Sequence, residues 1–244
     1  MNRPRRIWTR RLLALGLAAL SLFLGGCVYL RLLELKLQLN RFEQNFAVRT
    51  DDGLAILCHH PVIRTGDIRW FGVEPETVQR LGHAERWQVR LMKQLPAGVT
   101  EDKSYDLLLE FGFADDRMNR VGIPERYFTV MPKAFLLGVL RSFGRGEVNR
   151  STQAVEASVT AKEVASARPK MGALHSLLGV PTERRQEGER LLLRYHYRPA
   201  SSAPQVGEFD MILHFDPATG ELLKWQAVTP RGRFGVEFAR RKST

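Results

Sequence analysis

Two segments of the chain, YDLLLEF at 105–111 and FDMILHF at 209–215, follow one pattern of aromatic, Asp, apolar, apolar, Leu, polar and Phe. Apolar residues at every second position are typical of a strand with one buried face. Because successive side chains of a strand point to opposite faces, we expect Asp106 and Asp210 to point away from the core. The residues expected to face a helical layer are Tyr105, Leu107, Leu109, Phe111, Phe209, Met211, Leu213 and Phe215.

Similar elements flank the two segments in the same order. Upstream, PETVQRLGHAERW at 75–87 and PKMGALHSLLGVPTER at 169–184 each begin with Pro and contain Leu-Gly, as expected of a helix and its end. A strand candidate follows each of them, at 86–92 and 190–197. After each aromatic segment, a turn signal (ADDR or DPATG) leads into a further strand candidate, which predicts a hairpin.

A further helix is predicted at the start of each copy. In the second copy, TAKE at 160–163 has the spacing of a capping box. In the first copy, Asp67 stands before IRWFG in the equivalent place. The predicted fold class is therefore α+β, with two ααβββ units that each pack a three-stranded antiparallel sheet on helices.

The motifs of the second copy resemble a known family. LLGVP, RYHYRP and FDMILHFDPATGELLKW, all within residues 160–230, are similar to the SmpA/OmlA (BamE) outer-membrane lipoproteins, and residues 65–123 match the same motifs more weakly. The resemblance implies two helices paired with a three-stranded antiparallel sheet, an arrangement shared with the β-lactamase inhibitor protein. It also implies a role in the assembly or maintenance of an outer membrane.

The N-terminus has the parts of an export signal. MNRPRRIWTRR contains five arginines and no acidic residue, and an uncharged run follows it and ends in Leu24-Gly25-Gly26-Cys27. A positive segment, a short apolar segment and small residues at a cleavage point are typical of a secretory signal. The last four residues also resemble the lipobox of bacterial lipoproteins, which implies that residues 1–26 are removed and that Cys27 is acylated and anchors the chain in a membrane.

An uncleaved anchor is the alternative for this segment. Uncharged residues continue from Leu12 to Leu30, and at ~1.5 Å per residue such a helix would just span a hydrocarbon core of roughly 30 Å. Both alternatives place the rest of the chain outside the cytoplasm, facing the periplasm. We expect the outer membrane rather than the inner one, because residue 28 is Val and not the Asp that serves as a retention signal in enteric bacteria.

A helical neck is predicted after the anchor. Apolar residues recur there at alternating spacings of four and three, the heptad pattern of a packed helix. A helix docked on its own domain is favoured over a self-associating stalk, because the pattern covers fewer than three heptads. The apolar positions are Val28, Leu32, Leu35, Leu39, Phe42 and Phe46. A hairpin with an Asp-Gly turn is predicted at 46–57, and Cys58 is predicted to be a buried, inert thiol.

These patterns divide the chain into six predicted segments. They are a lipoprotein signal peptide at 1–26, a lipidated N-terminus and helical neck at 27–46, a first BamE-like unit with its leading hairpin at 47–124, a connecting helix and linker at 125–159, a second BamE-like unit at 160–230, and a basic tail at 231–244.

No motif of catalysis or metal binding is found in the sequence. There is no Gly-x-Ser-x-Gly, P-loop, dinucleotide fingerprint or His-Glu-x-x-His. His59 and His60 are adjacent, so on a strand they would point to opposite faces and could not share one metal ion. We therefore expect a protein that is not an enzyme and binds no cofactor and no metal. The net charge of +11 does not imply a nucleic-acid partner, because an exported protein rarely meets nucleic acid.

The expected function follows from the anchor and the repeats. We expect a membrane-anchored bacterial envelope lipoprotein that acts as a non-catalytic module for binding or scaffolding another envelope protein, with Cys27 holding it on the membrane. Three alternatives stay open at this point. The chain could be a periplasmic inhibitor or sensor of an exported enzyme, a single-pass membrane protein with an uncleaved N-terminal anchor, or a hydrolase of envelope polymers.

Overall fold

A computed structural model describes residues 28–50, 53–101, 105–129, 131–149, 154–159, 168–201 and 207–238. The helices of this part are α1 (residues 28–40), α2 (Phe42–Asn45), α3 (Thr65–Trp70), α4 (Lys133–Arg145) and α5 (Met171–Leu178), with a 3-10 helix at Glu125–Thr129. The strands are β1 (Phe46–Arg49), β2 (Leu54–Cys58), β3 (Thr77–Leu81), β4 (Ala84–Gln94), β5 (Leu107–Ala114), β6 (Arg117–Ile123), β7 (Glu147–Asn149), β8 (Ala154–Val159), β9 (Glu183–Glu187), β10 (Arg190–Pro199), β11 (Phe209–Phe215), β12 (Leu222–Thr229) and β13 (Gly232–Phe238).

The strands of the described residues form one sheet of 13 strands, with the order β1-β2-β6-β5-β4-β10-β11-β12-β13-β8-β7, while β3 pairs with β4 and β9 pairs with β10. The predicted fold class, two ααβββ units with separate three-stranded sheets, is therefore wrong. The long strands β4 and β10 extend beyond their short hairpin partners, and their free ends pair with each other from Leu91 to Gln94 and from His196 to Pro199. This pairing joins both parts into one continuous sheet.

Two parts of the sheet nevertheless repeat one pairing scheme. The first half consists of β3 to β6 and the second half of β9 to β12, and each is a run of antiparallel neighbours preceded by a helix, α3 or α5. Val89 pairs with Leu109 in the first half, and Leu193 pairs with Leu213 at the same place in the second. The similarity seen in the sequence is therefore expressed as matching strand registers.

Equivalent strands meet where the two halves join. β4 and β10 run antiparallel, with Met92 opposite Arg198 and His196 opposite Gln94. Lys93 and Tyr197 hold the same position in their respective strands, and they lie directly opposite each other. A local two-fold axis through this residue pair therefore relates the strand pairing of the first half to that of the second half.

One face of the sheet carries the core and the helices. The eight residues of the two aromatic segments that were predicted to face a helical layer all lie in or against the main hydrophobic cluster, together with residues of α4 and α5 such as Phe135 and Leu174. The helix α3 packs on the same side through Ile68. The predicted face assignment is confirmed, because Asp106 and Asp210 occupy the alternate positions and point to the other face.

Three segments differ from their predicted structures. The linker predicted at the end of 125–159 contains β7 and β8, which pair with each other, and β8 also pairs with β13. Residues 75–87, predicted to be a helix, contain β3 and the start of β4. Gly82, with a φ of 61°, lies in the two-residue turn of this hairpin, and Leu-Gly suits such a turn as well as it suits a helix end. The predicted basic tail at 231–244 begins with β13, whose Val236 and Phe238 are buried in the core.

The neck helix α1 is docked on the fold, as predicted. Its Leu32 and Leu35 pack against the cluster beneath α3, and Leu39 packs against the cluster at β1 and β2. Arg31 makes two hydrogen bonds to Asp67 of α3, with N–O distances of 2.7 and 2.5 Å, and the Asp67 side chain is only 1% exposed. A buried carboxylate with a bidentate arginine fixes the start of α1 to the fold.

The hairpin predicted at 46–57 is present as the antiparallel pair β1 and β2. Cys58 follows as a half-buried free thiol, with its Sγ 3.7 Å from Oε1 of Gln38 on α1. Burial raises the pKa of the Cys58 thiol, so it is protonated at neutral pH. The predicted capping box at 160–163 lies outside the described residues.

Candidate functional site

We call the side of the sheet opposite the helices the helix-free face. Polar side chains from both halves project from it, because they alternate with the apolar residues that face the helices. On the two central strands this face consists of Arg86, Gln88, Arg90, Met92 and Gln94 of β4 and Arg190, Leu192, Arg194, His196 and Arg198 of β10. On β11 it continues with Asp210, Ile212 and His214.

Asp210 is the centre of an ion-pair network on the helix-free face. Arg194 Nη2 donates a hydrogen bond to Asp210 Oδ2 at 2.7 Å, and His196 Nδ1 lies 2.8 Å from the other carboxylate oxygen. Burial alone would raise the pKa of Asp210, but the hydrogen bonds from Arg194 and His196 and their charges hold it below its ordinary value. Asp210 is therefore an ionised group that orients both neighbours.

The network extends from Asp210 in two directions. Glu208 Oε2 lies 3.5 Å from His196 Nε2, and Glu208 Oε1 lies 3.1 Å from Arg198. In the other direction Arg194 Nη1 lies 3.6 Å from Glu183 Oε2 on β9. Because acidic and basic groups alternate along the chain of contacts, the second half presents an ordered surface on which each arginine of this row has a carboxylate beside it.

His214 lies at the buried end of the same face. Its side chain is largely covered, and Nε2 is 3.3 Å from Oε1 of Gln226 on β12. Burial lowers the pKa of His214, so the ring is neutral at pH 7. A neutral, hydrogen-bonded ring in this position supports the sheet and does not add to the charge of the face.

The first half carries fewer charge contacts at the equivalent positions. Arg90 Nη2 pairs with Glu76 Oε1 at 2.6 Å, in contact with solvent. Asp106, which corresponds to Asp210, accepts the backbone N–H of Lys93 at 3.0 Å. Met92 stands where the second half has His196. The carboxylate of the first half therefore binds the backbone, whereas that of the second half organises side chains.

A buried ion pair lies on the helix side of the junction. The Lys93 side chain is fully buried, and Nζ donates hydrogen bonds to both carboxylate oxygens of Glu101, at 3.0 and 2.8 Å, and to the Leu178 carbonyl at 2.6 Å. Burial would raise the pKa of Glu101, but the Lys93 ammonium and the Val180 N–H hold it below its ordinary value. The pair has complete hydrogen bonding and fixes the loop before residue 101 to the end of α5, which is a structural role.

Residues singled out by their chemistry in the sequence are not assembled into a reactive site. His59 is exposed, and its Nδ1 lies 3.2 Å from the Gln44 carbonyl oxygen, while His60 is exposed on the following loop position. Within the residues that the structure describes, no three His, Cys, Asp or Glu side chains are close enough to hold a metal ion. The predicted acylation site, Cys27, lies outside the described residues.

His196 was not predicted from the sequence to be a functional residue. RYHYRP was taken as a motif of the family resemblance, although Arg194, His196 and Arg198 alternate with Tyr195 and Tyr197 along β10. The signal available was this row of basic residues at every second position. It could not show that acidic residues of β9 and β11 would lie beside the row, because those contacts depend on strand register.

The chain matches no family model, no characterised protein and no solved structure. The resemblance to the SmpA/OmlA (BamE) family, the lipobox and the signal peptide therefore stay predictions from the sequence. In the part of the chain that the structure covers, no helix is both long enough and apolar enough to cross a membrane.

Proposed function

We propose that the chain is a membrane-anchored lipoprotein of a bacterial envelope whose helix-free face binds another envelope protein, in the assembly or maintenance of the outer membrane. One observation carries the proposal. The helices of the described residues close one side of the sheet, while the other side, continuous across both halves, holds the ordered row of ion pairs from Arg198 through Asp210 to Glu183.

The mixed charge of this face favours a protein as its partner. Nucleic acid binding requires an uncompensated basic surface, whereas the arginines of the second half have carboxylates beside them. Interfaces between proteins use arginine and complementary charges to fix orientation and partner choice. A partner with acidic and basic groups could exchange contacts with Arg198 and Glu208, which are the exposed end of the network.

The anchor is supported by the sequence, and a variant of Cys27 tests it. If Cys27 is the acylated first residue of the mature chain, Cys27→Ser should accumulate as an unprocessed precursor. The wild-type chain should fractionate with outer-membrane markers and resist extraction by high salt, because acyl chains and not charges hold it. A Cys27→Ser chain that matures and fractionates like the wild type would support the uncleaved anchor instead.

Site-specific photo-crosslinking in intact cells tests the binding face. A photoreactive amino acid is placed at Arg86 or Arg198, both exposed on the helix-free face, and at Ala173, which is exposed on α5. We expect one adduct of constant size from both face positions and none from Ala173. The adduct should weaken when Glu208→Lys is added, because this change reverses the charge at the exposed end of the network.

The pattern of adducts decides between the proposed function and its alternatives. Equal adducts from Ala173 and the face positions, or adducts only to a second copy of the chain, would contradict the proposal. A partner identified as an exported enzyme, with its activity reduced in the complex, would support the inhibitor or sensor alternative. Absence of any adduct in the envelope fraction would also contradict a protein-binding face.

A further inference from the structure

Four aromatic side chains form a continuous surface beside the start of α1, and we call it the aromatic patch. Its members are Tyr29 of α1, Trp70 and Phe71 at the end of α3, and Phe234 of β13. Ring centroids are 5.7 Å apart for Tyr29 and Trp70, 5.1 Å for Trp70 and Phe71, and 5.6 Å for Phe71 and Phe234. All four side chains keep part of their surface exposed.

The aromatic patch is close in sequence to the predicted acylation site. Tyr29 follows Cys27 by two residues, and it belongs to the uncharged run from Leu12 to Leu30. The neighbouring Leu30 is 66% exposed. Because Arg31 is bound to the buried Asp67, this part of α1 is fixed to the fold. If Cys27 is acylated, its lipid is attached two residues from Tyr29 and four residues from this fixed point.

A basic residue borders the aromatic patch. The Arg231 guanidinium lies 5.8 Å from the centroid of the Trp70 ring, and the Arg231 side chain is exposed in the turn between β12 and β13. The combination of Trp and Tyr with Arg is typical of the headgroup layer of a membrane, where rings sit between apolar chains and water and arginines reach phosphates.

We propose that the aromatic patch lies on the lipid bilayer, with Trp70 and Tyr29 at the depth of the headgroups and Arg231 beside lipid phosphates. This inference rests on the membrane anchor of the proposed function and adds a second contact with the membrane, made by the folded domain itself. The patch belongs to the helix side of the sheet, so the contact does not use the helix-free face. The domain is thereby held at a fixed orientation above the bilayer.

Quenching of tryptophan fluorescence by brominated lipids tests this contact. The chain is purified from membranes and reconstituted into vesicles of phosphatidylethanolamine and phosphatidylglycerol whose acyl chains carry bromine near the headgroup. It carries Trp8→Phe, so that any precursor with an uncleaved signal adds no tryptophan emission. Its remaining tryptophans are Trp70, Trp87 and Trp225. Trp87 is fully buried, and Trp225 is half-buried on β12, where its ring packs against Phe143 and not against the aromatic patch. We expect bromine to quench the emission, and we expect Trp70→Phe to abolish most of that quenching while Trp225→Phe preserves it.

A charge variant tests the same contact without replacing Trp70, the residue whose quenching is measured. Arg231→Glu should reduce the quenching of Trp70 by about half or more, because a carboxylate is repelled by phosphatidylglycerol. Arg184→Glu, an equal charge change at an exposed position of β9, should leave the quenching unchanged. Flotation of the vesicles is measured for every variant, and it should be the same for all, since acyl chains supply the anchor.

The outcomes separate the two proposals. Vesicles that float with the protein while Trp70→Phe is quenched as strongly as its parent would overturn the bilayer contact and leave the anchor intact. A chain that does not float with vesicles would overturn the anchor and the contact together. Trp70 quenching in a chain that gives no crosslinks from the helix-free face would sustain the membrane contact and overturn the protein-binding function.

Discussion

The two halves of the sheet share their strand registers but differ in the chemistry of their helix-free faces. In both halves the apolar residues at alternate positions pack under the helices, as Val89 and Leu193 do. On the other face, Asp210 gathers an arginine and a histidine, whereas Asp106 accepts a backbone N–H. The difference shows that the buried face is restricted by packing, while the helix-free face was able to change without altering the pairing of the strands.

The continuous sheet predicts that both halves unfold together, and truncation of a core aromatic tests this. Phe215→Ala should lower the free energy of unfolding by about 3–5 kcal/mol, because the Phe215 ring is fully buried. Phe111→Ala, at the equivalent place, should cost less, since its side chain is half-buried. Denaturant unfolding of the detergent-solubilised chain, followed by circular dichroism and fluorescence, should show one transition in both variants. Two separate transitions would contradict the continuous sheet.

The junction of the halves predicts a large loss of stability for a variant of Lys93 and almost none for a variant of Tyr197, which lies opposite it. Lys93→Met should lower the free energy of unfolding by about 3–5 kcal/mol, because it leaves the Glu101 carboxylate buried without its ammonium partner. Tyr197→Phe should change it by less than about 0.5 kcal/mol, since the buried Tyr197 hydroxyl has no hydrogen-bond partner among the described residues. The same unfolding measurement applies to both.

A double variant controls for the loss of the lysine side chain itself. Lys93→Met with Glu101→Gln removes both charges, so it should recover a large part of the stability lost in the single variant. A double variant no more stable than Lys93→Met would show that packing of the lysine stem, and not the ion pair, accounts for the loss.

The smallest expected difference concerns the two equivalent aspartates. Asp210→Asn should cost about 1–3 kcal/mol at neutral pH, because it weakens hydrogen bonds to charged neighbours. The native pKa of Asp210 lies below its unfolded value, so its stabilisation is complete above the unfolded pKa and is lost as pH falls through the native pKa. Asp210→Asn should therefore lose less stability than the wild type between about pH 5 and pH 2. Denaturant unfolding curves recorded over this pH range measure how steeply the free energy of unfolding falls with pH in each variant.

Asp106→Asn is the matched control for the loss of stability that Asp210→Asn causes at neutral pH. It removes a carboxylate at the equivalent place, where the contact is a backbone N–H and the amide oxygen of Asn can still accept it. We expect Asp106→Asn to reduce the stability at neutral pH less than Asp210→Asn does. Equal losses in the two variants would contradict the difference between the two helix-free faces.

Local patterns in the sequence predicted which residues face the helices and which helix docks on the fold, but the predicted fold class of two separate units was wrong. Alternation placed the residues of YDLLLEF and FDMILHF on their correct faces, and the heptad spacing predicted the docked helix α1. These predictions succeeded because each depends on a period within one element. The strand at Thr77–Leu81 was taken for a helix because Pro and Gly bound hairpin strands as well as helices.

The joining of the halves could not be derived in the same way. It depends on pairing between Leu91–Gln94 and His196–Pro199, two strand ends that are far apart in the chain. The sequence contained one indication of this pairing. The alternation of apolar residues in β4 and β10 continues for about twice as many residues as their hairpin partners β3 and β9 contain. The ion pairs around Asp210 required this register and the positions of β9 and β11, so residue types alone could not assemble them.

The pairing of Lys93 with Tyr197 places two different residues on the two sides of the local two-fold axis. A symmetric dimer could not do this, because both of its subunits have the same sequence. Two identical subunits joined through this strand would place a lysine opposite a lysine at the axis, and two buried ammonium groups would repel each other. With both halves in one polypeptide, a substitution occurs on one side of the axis alone, and Tyr197 occupies the other side. Because both halves belong to one chain, their junction need not be symmetric, and the ion pair between Lys93 and Glu101 forms on one side of it alone.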